Sequence, residues 1–280
     1  MKIYKQGATA YIVDEGRVFR TNSDWDLLIN RAELHRRLRE DCSGFERVSE
    51  FDASGPFDPP VQHQELWASG VTYLRSREAR VAESKSAGGG DFYDRVYDAD
   101  RPELFFKAAA HRIAGHLDTV LIRSDSSWNV PEPELTLFIT SAGTIEGYTI
   151  GNDMSSRSIE GENPLYLPQA KTYDRSAALG PCLCVPEQPL SMGSAVSLTI
   201  LRDGASVFED TITLERMKRQ PRELADWLLR ALTFPHGCFL MTGTGIVPPD
   251  DFTLQVGDEV SITIEGIGTL VNIVNQSRQI

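Results

Sequence analysis

Basic charge is scarce in this chain. Its 280 residues carry 28 lysines and arginines against 40 aspartates and glutamates, a formal net charge of -12, and the sequence pI is near 4.9. Nonspecific nucleic-acid binding needs a basic face to release counterions, so no nucleic-acid partner is expected. A small anionic substrate stays open, because a bound divalent cation inverts the local field. Cysteine is also sparse: Cys42, Cys182, Cys184 and Cys238. Cys182 and Cys184 flank Leu183 on one face of an expected strand. With no second close pair and no histidine beside them, they read as buried free thiols rather than a zinc site. So few cysteines in a chain this long fit a reducing cytoplasm. There is no apolar run of membrane-spanning length, and the first residues lack a basic segment followed by an apolar one, so no membrane partner and a cytoplasmic location are expected. The five histidines are His35, His63, His111, His116 and His236. His111 and His116 fall in a stretch with Ala108, Ala109, Ala110 and Ile113 that reads as helix, where they act as surface or core filler.

The organisation is read from turns and periodicity. Residues 1–62 form a small N-terminal α/β unit, with a hairpin pairing Ala8–Val13 and Arg17–Thr21 around Asp14-Glu15-Gly16. A helix from Asp24 to Glu40 follows, Asp24 serving as its cap. Gly55-Pro56-Phe57-Asp58-Pro59-Pro60 breaks the chain there. Residues 63–280 alternate short apolar runs with turns, the pattern of a β-rich α+β domain with a barrel-like or folded sheet. A helix is expected over 75–83 and another over 222–233. The glycine run 86–90 lacks the Lys-Ser/Thr of a phosphate cradle and reads as a loop.

The chemistry concentrates between Val130 and Pro181. Glu132 and Glu134 are two residues apart, so on a strand both carboxylates point to one face. Asp153 follows the strand-like Tyr148-Thr149-Ile150 and can close a cage of three carboxylates. Oxygen-only donors suit Mg²⁺, Mn²⁺ or Ca²⁺ rather than Zn²⁺. Taken alone, Glu132-Pro133-Glu134 also fits a solvated edge strand, where prolines are tolerated. Arg157 and Lys171, further along, suit an anionic substrate group.

Several ordered motifs carry a resemblance. They are Pro131-Glu132-Pro133-Glu134, the run from Gly147 to Arg157, Lys171-Thr172-Tyr173-Asp174 with Leu179-Gly180-Pro181, and Thr242-Gly243-Thr244 with Gly257-Asp258. Together they are similar to the fumarylacetoacetate hydrolase family over residues 65 to 272. The resemblance implies a mixed β-roll catalytic domain and a divalent ion, Mg²⁺ or alternatively Mn²⁺ or Ca²⁺, held by Glu132, Glu134 and Asp153. It also implies a 2-oxo acid substrate chelating that ion, an enolate stabilised at C2–C3, and a homo-oligomer, dimer or tetramer. Hydrolases of the family place a histidine after the first strand to activate water. Here that position reads Ser76, and a serine alone is no general base near neutral pH.

The segment around Glu103 and the run Ile159 to Lys171 instead resemble the family's sugar-acid dehydratases, which convert a 2-keto-3-deoxy pentonate to 2,5-dioxopentanoate. That likeness implies Glu103 and Lys171 as an acid/base pair, with either group able to fill either role. Arg75, Arg157, Tyr166, Gln169 and Thr244 are further substrate-binding candidates. The alternative within the family is a C–C hydrolase of an acylpyruvate or a 2,4-diketo-3-deoxy sugar acid. A reading outside enzymes is a 2-oxo-acid sensor that binds without turnover.

Overall fold

The computed structural model describes residues 1–76 and 95–278. The chain opens with strands β1 (Lys2–Gln6), β2 (Thr9–Asp14) and β3 (Arg17–Thr21), helices α1 (Trp25–Ile29) and α2 (Leu34–Asp41), and strand β4 (Glu46–Val48). Next come β5 (Glu65–Gly70), β6 (Glu103–Ala109), β7 (Ile113–Ala114), β8 (Thr119–Ile122), β9 (Asn129–Ile139) and β10 (Ile145–Ser156). Two short helices follow, α3 (Arg157–Glu162) and α4 (Leu167–Lys171), then β11 (Ala177–Cys184), β12 (Ala195–Arg202) and β13 (Ala205–Thr213). Helix α5 (Pro221–Leu228) and strands β14 (Cys238–Met241), β15 (Glu259–Ile264) and β16 (Gly268–Gln276) complete the described chain. The expected β-rich architecture is present.

The strands form two sheets. The larger runs β4-β3-β2-β1-β11-β10-β9-β14-β5-β6, with β7 attached to β11. The smaller runs β13-β12-β15-β16-β8. β9 is buried along its whole length, because each of its faces meets a different core. Leu135, Leu137 and Ile139 join Val196, Leu198, Ile200, Val260 and Ile262 of the smaller sheet. Phe138 packs the other way, with Leu66, Phe239, Met241 and the N-terminal residues Ile3, Ile12, Trp25 and Leu28. Alternation along a strand therefore puts Glu132 and Glu134 on the Phe138 face, away from the smaller sheet.

Two local expectations are corrected. The single helix over 24–40 is two helices. Asp24 does cap the first, its carboxylate accepting the Leu27 N–H at 3.0 Å. The break at 30–33 is tertiary in origin. Asn30 Nδ2 donates to the Pro235 carbonyl at 2.9 Å and Asn30 Oδ1 accepts the Ser141 N–H at 2.7 Å. The Glu146 carboxylate then accepts the Glu33 and Leu34 N–H groups at 3.1 and 2.8 Å, capping the second helix from outside. His111 and His116 are likewise not helical. Ala110–Arg112 is one 3₁₀ turn, and His116 follows β7, buried, with Nδ1 accepting the Val271 N–H at 3.1 Å. The helix expected over 75–83 runs into, and the glycine run 86–90 falls within, residues outside the described part.

Candidate active site

Register builds the carboxylate cluster. β9 and β10 pair antiparallel with Asp153 opposite Glu132 and Gly151 opposite Glu134. Directly opposed and diagonal neighbours on one face of a sheet meet, and the three carboxylates each place an oxygen within 4.8 Å of the others. All three are buried. The prolines next to the glutamates have a structural reason. Among the described residues, β14 pairs with β9 only from Thr136 to Ile139, so there the stretch holding Pro131 and Pro133 is laddered to β10 on one side alone. It is a local edge inside a large sheet, where a missing N–H costs nothing, and it is buried rather than solvated.

Cations converge on this cluster from other elements. Lys171, at the end of α4 and fully buried, donates to Glu132 Oε2 at 2.6 Å, Asp153 Oδ2 at 3.1 Å and Ser155 Oγ at 2.5 Å. Arg157, the first residue of α3, donates Nη2 to Glu132 Oε1 at 2.7 Å, and Glu160 lies 3.4 Å from Lys171 Nζ. Lys107, from β6, places Nζ 2.6 Å from Asp153 Oδ1 with neither side chain exposed, and also donates to the carbonyls of Met154 and Lys171. Sequence reasoning missed Lys107, Ser155 and Glu160. The signal for Lys107 was faint: a lone cation inside the apolar run Leu104 to Ala110.

The electrostatics follow from burial and neighbours. Burial, reinforced by Asp153 and Glu132, lifts the Glu134 carboxyl well above the usual carboxylate range. Its Oε2 accepts the Gly243 N–H at 2.5 Å. Burial also opposes ionisation of Asp153, but Lys107 and Lys171 outweigh it and hold that carboxyl below its ordinary value. Four carboxylates (Glu132, Glu134, Asp153 and Glu160) thus face three cations, and repulsion from Asp153 and Glu132 adds to burial at Glu134. A hard dication among Glu132, Glu134 and Asp153 relieves that repulsion, and the donors are all oxygen. The residues present fit such an ion.

Glu103 opens β6 and pairs in register with Gly70 at the end of β5. It shares a strand face with Phe105, whose ring centroid lies 6.0 Å from Lys171 Nζ. A Cβ built on Gly70 would sit 1.9 Å from Glu103 Oε2, so glycine there makes room for this carboxylate. Ser76 cannot serve as a base. Its hydroxyl donates to the Tyr73 carbonyl at 2.9 Å and accepts the Tyr73 N–H at 3.2 Å. Of the weaker candidates, Arg157 is in the cluster. Thr244 is buried, its hydroxyl donating to the Ile246 carbonyl at 3.1 Å. Tyr166 is 38% exposed at the start of α4, Gln169 lies on the outer side of that helix with its carbonyl accepting Arg123 Nη1, and Arg75 is exposed.

A buried carboxylate triad on paired strands, crowned by a lysine from a following helix, defines a site of one class. The sequence pattern of the fumarylacetoacetate hydrolase C-terminal family matches residues 71–275, and the chain belongs to that family. Among its relatives, a probable 2-keto-3-deoxyxylonate dehydratase of Haloferax volcanii is 50% identical over 216 residues, 77% of this chain and 73% of the relative. The 2-dehydro-3-deoxy-D-arabinonate dehydratase of Saccharolobus solfataricus is 37% identical over the whole chain and 98% of its own length. A solved 2-keto-3-deoxy-D-arabinonate dehydratase, complexed with magnesium and 2,5-dioxopentanoate, superposes over 99% of both chains with a TM-score of 0.85 and 35% identity.

Proposed function

We propose that this protein is a magnesium-dependent hydro-lyase that removes water from a 2-keto-3-deoxy sugar acid, with 2-keto-3-deoxy-D-arabinonate as the substrate and 2,5-dioxopentanoate as the product. The observation that carries the reading is the Lys171 ammonium held against two of the three buried carboxylates, in a chain whose Ser76 hydroxyl is tied to its own backbone turn. Glu132, Glu134 and Asp153 would hold the ion. Bound there, it would supply Lewis acidity to a 2-oxo acid substrate.

The remaining work belongs to protein groups. A base must take the proton from C3, and an acid must protonate the C4 hydroxyl, since hydroxide is a poor leaving group. Glu103 and Lys171 are the pair we assign, one to each step. Loss of water leaves a C3–C4 double bond. Moving one hydrogen from C5 to C3 gives the C4–C5 enol, and transfer of the enol O–H proton to C4 then yields the terminal aldehyde of 2,5-dioxopentanoate, with one water released overall. Arg157, whose Nη2 donates to Glu132, is a proposed substrate contact that also orients that ligand. Arg75, Tyr166, Gln169 and Thr244 are proposed substrate contacts. A cytoplasmic homo-oligomer, dimer or tetramer, and an organisational boundary near residue 62 belong to the same reading.

The test is product analysis by mass spectrometry with Mg²⁺ present. Formation of 2,5-dioxopentanoate from the deoxy pentonate is expected, with loss of product in Lys171→Ala and Glu103→Gln. Pyruvate release from an acylpyruvate, with no dehydration of any 2-keto-3-deoxy acid, would overturn the proposal in favour of a C–C hydrolase.

A further inference from the structure

A second group of metal-binding side chains lies where α1 meets the turn before β14. Asp26 of α1 is buried, and its Oδ2 faces two imidazoles: His63 Nδ1 at 2.6 Å and His236 Nδ1 at 3.2 Å. One ligand atom from each of the three lies within 4.8 Å of the others, and the two rings are 5.3 Å apart. The carboxylate is held in place from behind. The buried Gln64 Nε2 donates to Asp26 Oδ1 at 2.7 Å and to the His236 carbonyl at 3.0 Å. One oxygen of Asp26 is therefore tied by an amide, and the other is turned toward the imidazoles. Such outer bonds orient a metal-ligating carboxylate. The Asp24 carboxylate adds negative charge close by through Gln62, whose Nε2 donates to it at 3.0 Å.

We propose that Asp26, His63 and His236 form a second metal site, selective for a borderline transition ion such as Zn²⁺, Co²⁺ or Ni²⁺. Two neutral imidazole nitrogens and one carboxylate oxygen suit those ions, whereas Mg²⁺ prefers oxygen alone. Three protein donors leave positions for water. The imidazoles are 62% and 52% exposed, so an ion reaches the site directly from solvent. The donors come from three segments: α1, the residues just before β5 and the turn before β14. A bound ion therefore cross-links the N-terminal segment to the strand that flanks β9. This site is independent of the carboxylate cluster and of the reaction proposed for it.

The experiment is zinc titration of the full-length protein kept in saturating Mg²⁺, followed by calorimetry of binding and by thermal unfolding. Unaltered protein should take up one more equivalent of Zn²⁺ than the His63→Ala/His236→Ala double variant, and Zn²⁺ should raise its Tm but not that of the double variant. His236→Gln alone should weaken this second equivalent at least tenfold. Magnesium-dependent turnover should be the same in all three proteins before zinc is added, which checks that the variants are folded. Equal zinc stoichiometry in the unaltered protein and the double variant would overturn the proposal. So would a Tm response to zinc that survives both substitutions.

Discussion

At the scale of single residues, the site depends on space as much as on charge. Gly70 is the clearest case. A Cβ there would lie 1.9 Å from Glu103 Oε2 and 2.6 Å from Glu103 Cδ, the mobile end of a side chain rather than backbone. Gly70→Ala should therefore fold with little change in Tm but turn the Glu103 carboxylate aside. Misplacing a reacting group by an ångström costs on the order of 100-fold in rate, so kcat should fall by about that factor while Mg²⁺ affinity holds. An unchanged kcat would separate Glu103 from the chemistry. Lys107 makes a different case. Removing one partner of a buried ion pair costs about 3–5 kcal/mol, so Lys107→Met should be destabilised on that scale in chelator-treated protein. Magnesium held at the proposed carboxylate site would supply positive charge beside Asp153, so the deficit should shrink when Mg²⁺ is saturating. Denaturant midpoints in chelator and in Mg²⁺ measure both values, and an identical deficit in the two conditions would defeat the electrostatic account.

At the scale of elements, the sequence was legible where periodicity and turn chemistry act locally. The two-residue spacing of Glu132 and Glu134 announced a shared strand face, and Asp14-Glu15-Gly16 announced the β2–β3 hairpin. What was not legible depends on partners distant in sequence. Nothing near Asn30 says that Pro235 and Ser141 will claim its amide, or that Glu146 will cap α2, so one helix was expected where two exist. Lys107 lies 46 residues before Asp153, and no local pattern couples them. The histidine after β7 belongs to the same class, and it carries a pH prediction. Burial lowers the His116 pKa below its ordinary 6.5, and Nδ1 must stay unprotonated to accept the Val271 N–H. The folded state therefore resists a proton that the unfolded chain accepts. This contribution is complete above about pH 6.5 and is lost as pH falls from there toward the lowered folded value. Unfolding midpoints at pH 7.5 and 5.5 should differ less in His116→Asn, whose amide oxygen can take the same N–H without titrating, than in the unaltered chain. Equal differences in both proteins would remove His116 from the acid response.

For the whole molecule, the larger sheet decides how far a local event travels. β1 is laddered to β11, with Lys2 opposite Cys184 and Ile3 opposite Leu183, so the N-terminal strands extend the sheet that holds the carboxylates. Ile3, Ile12, Trp25 and Leu28 also share one buried cluster with Leu66, Phe138, Leu179 and Met241. The apolar contacts therefore cross the boundary expected near residue 62. Glu132 and Glu134 occupy the same face of β9 as Phe138, so an ion held there is coupled to that shared cluster. The expected outcome is a single calorimetric transition that includes the N-terminal strands and moves as a unit with Mg²⁺. A ligand at 100 times its Kd stabilises the folded state by about 2.7 kcal/mol. Over a chain of this length that corresponds to a rise of about 5 °C in Tm. Differential scanning calorimetry in chelator and in saturating Mg²⁺ makes the comparison, with van't Hoff and calorimetric enthalpies agreeing in both. Two separate transitions, of which only the later responds to Mg²⁺, would show that the N-terminal strands melt independently despite the shared sheet and core.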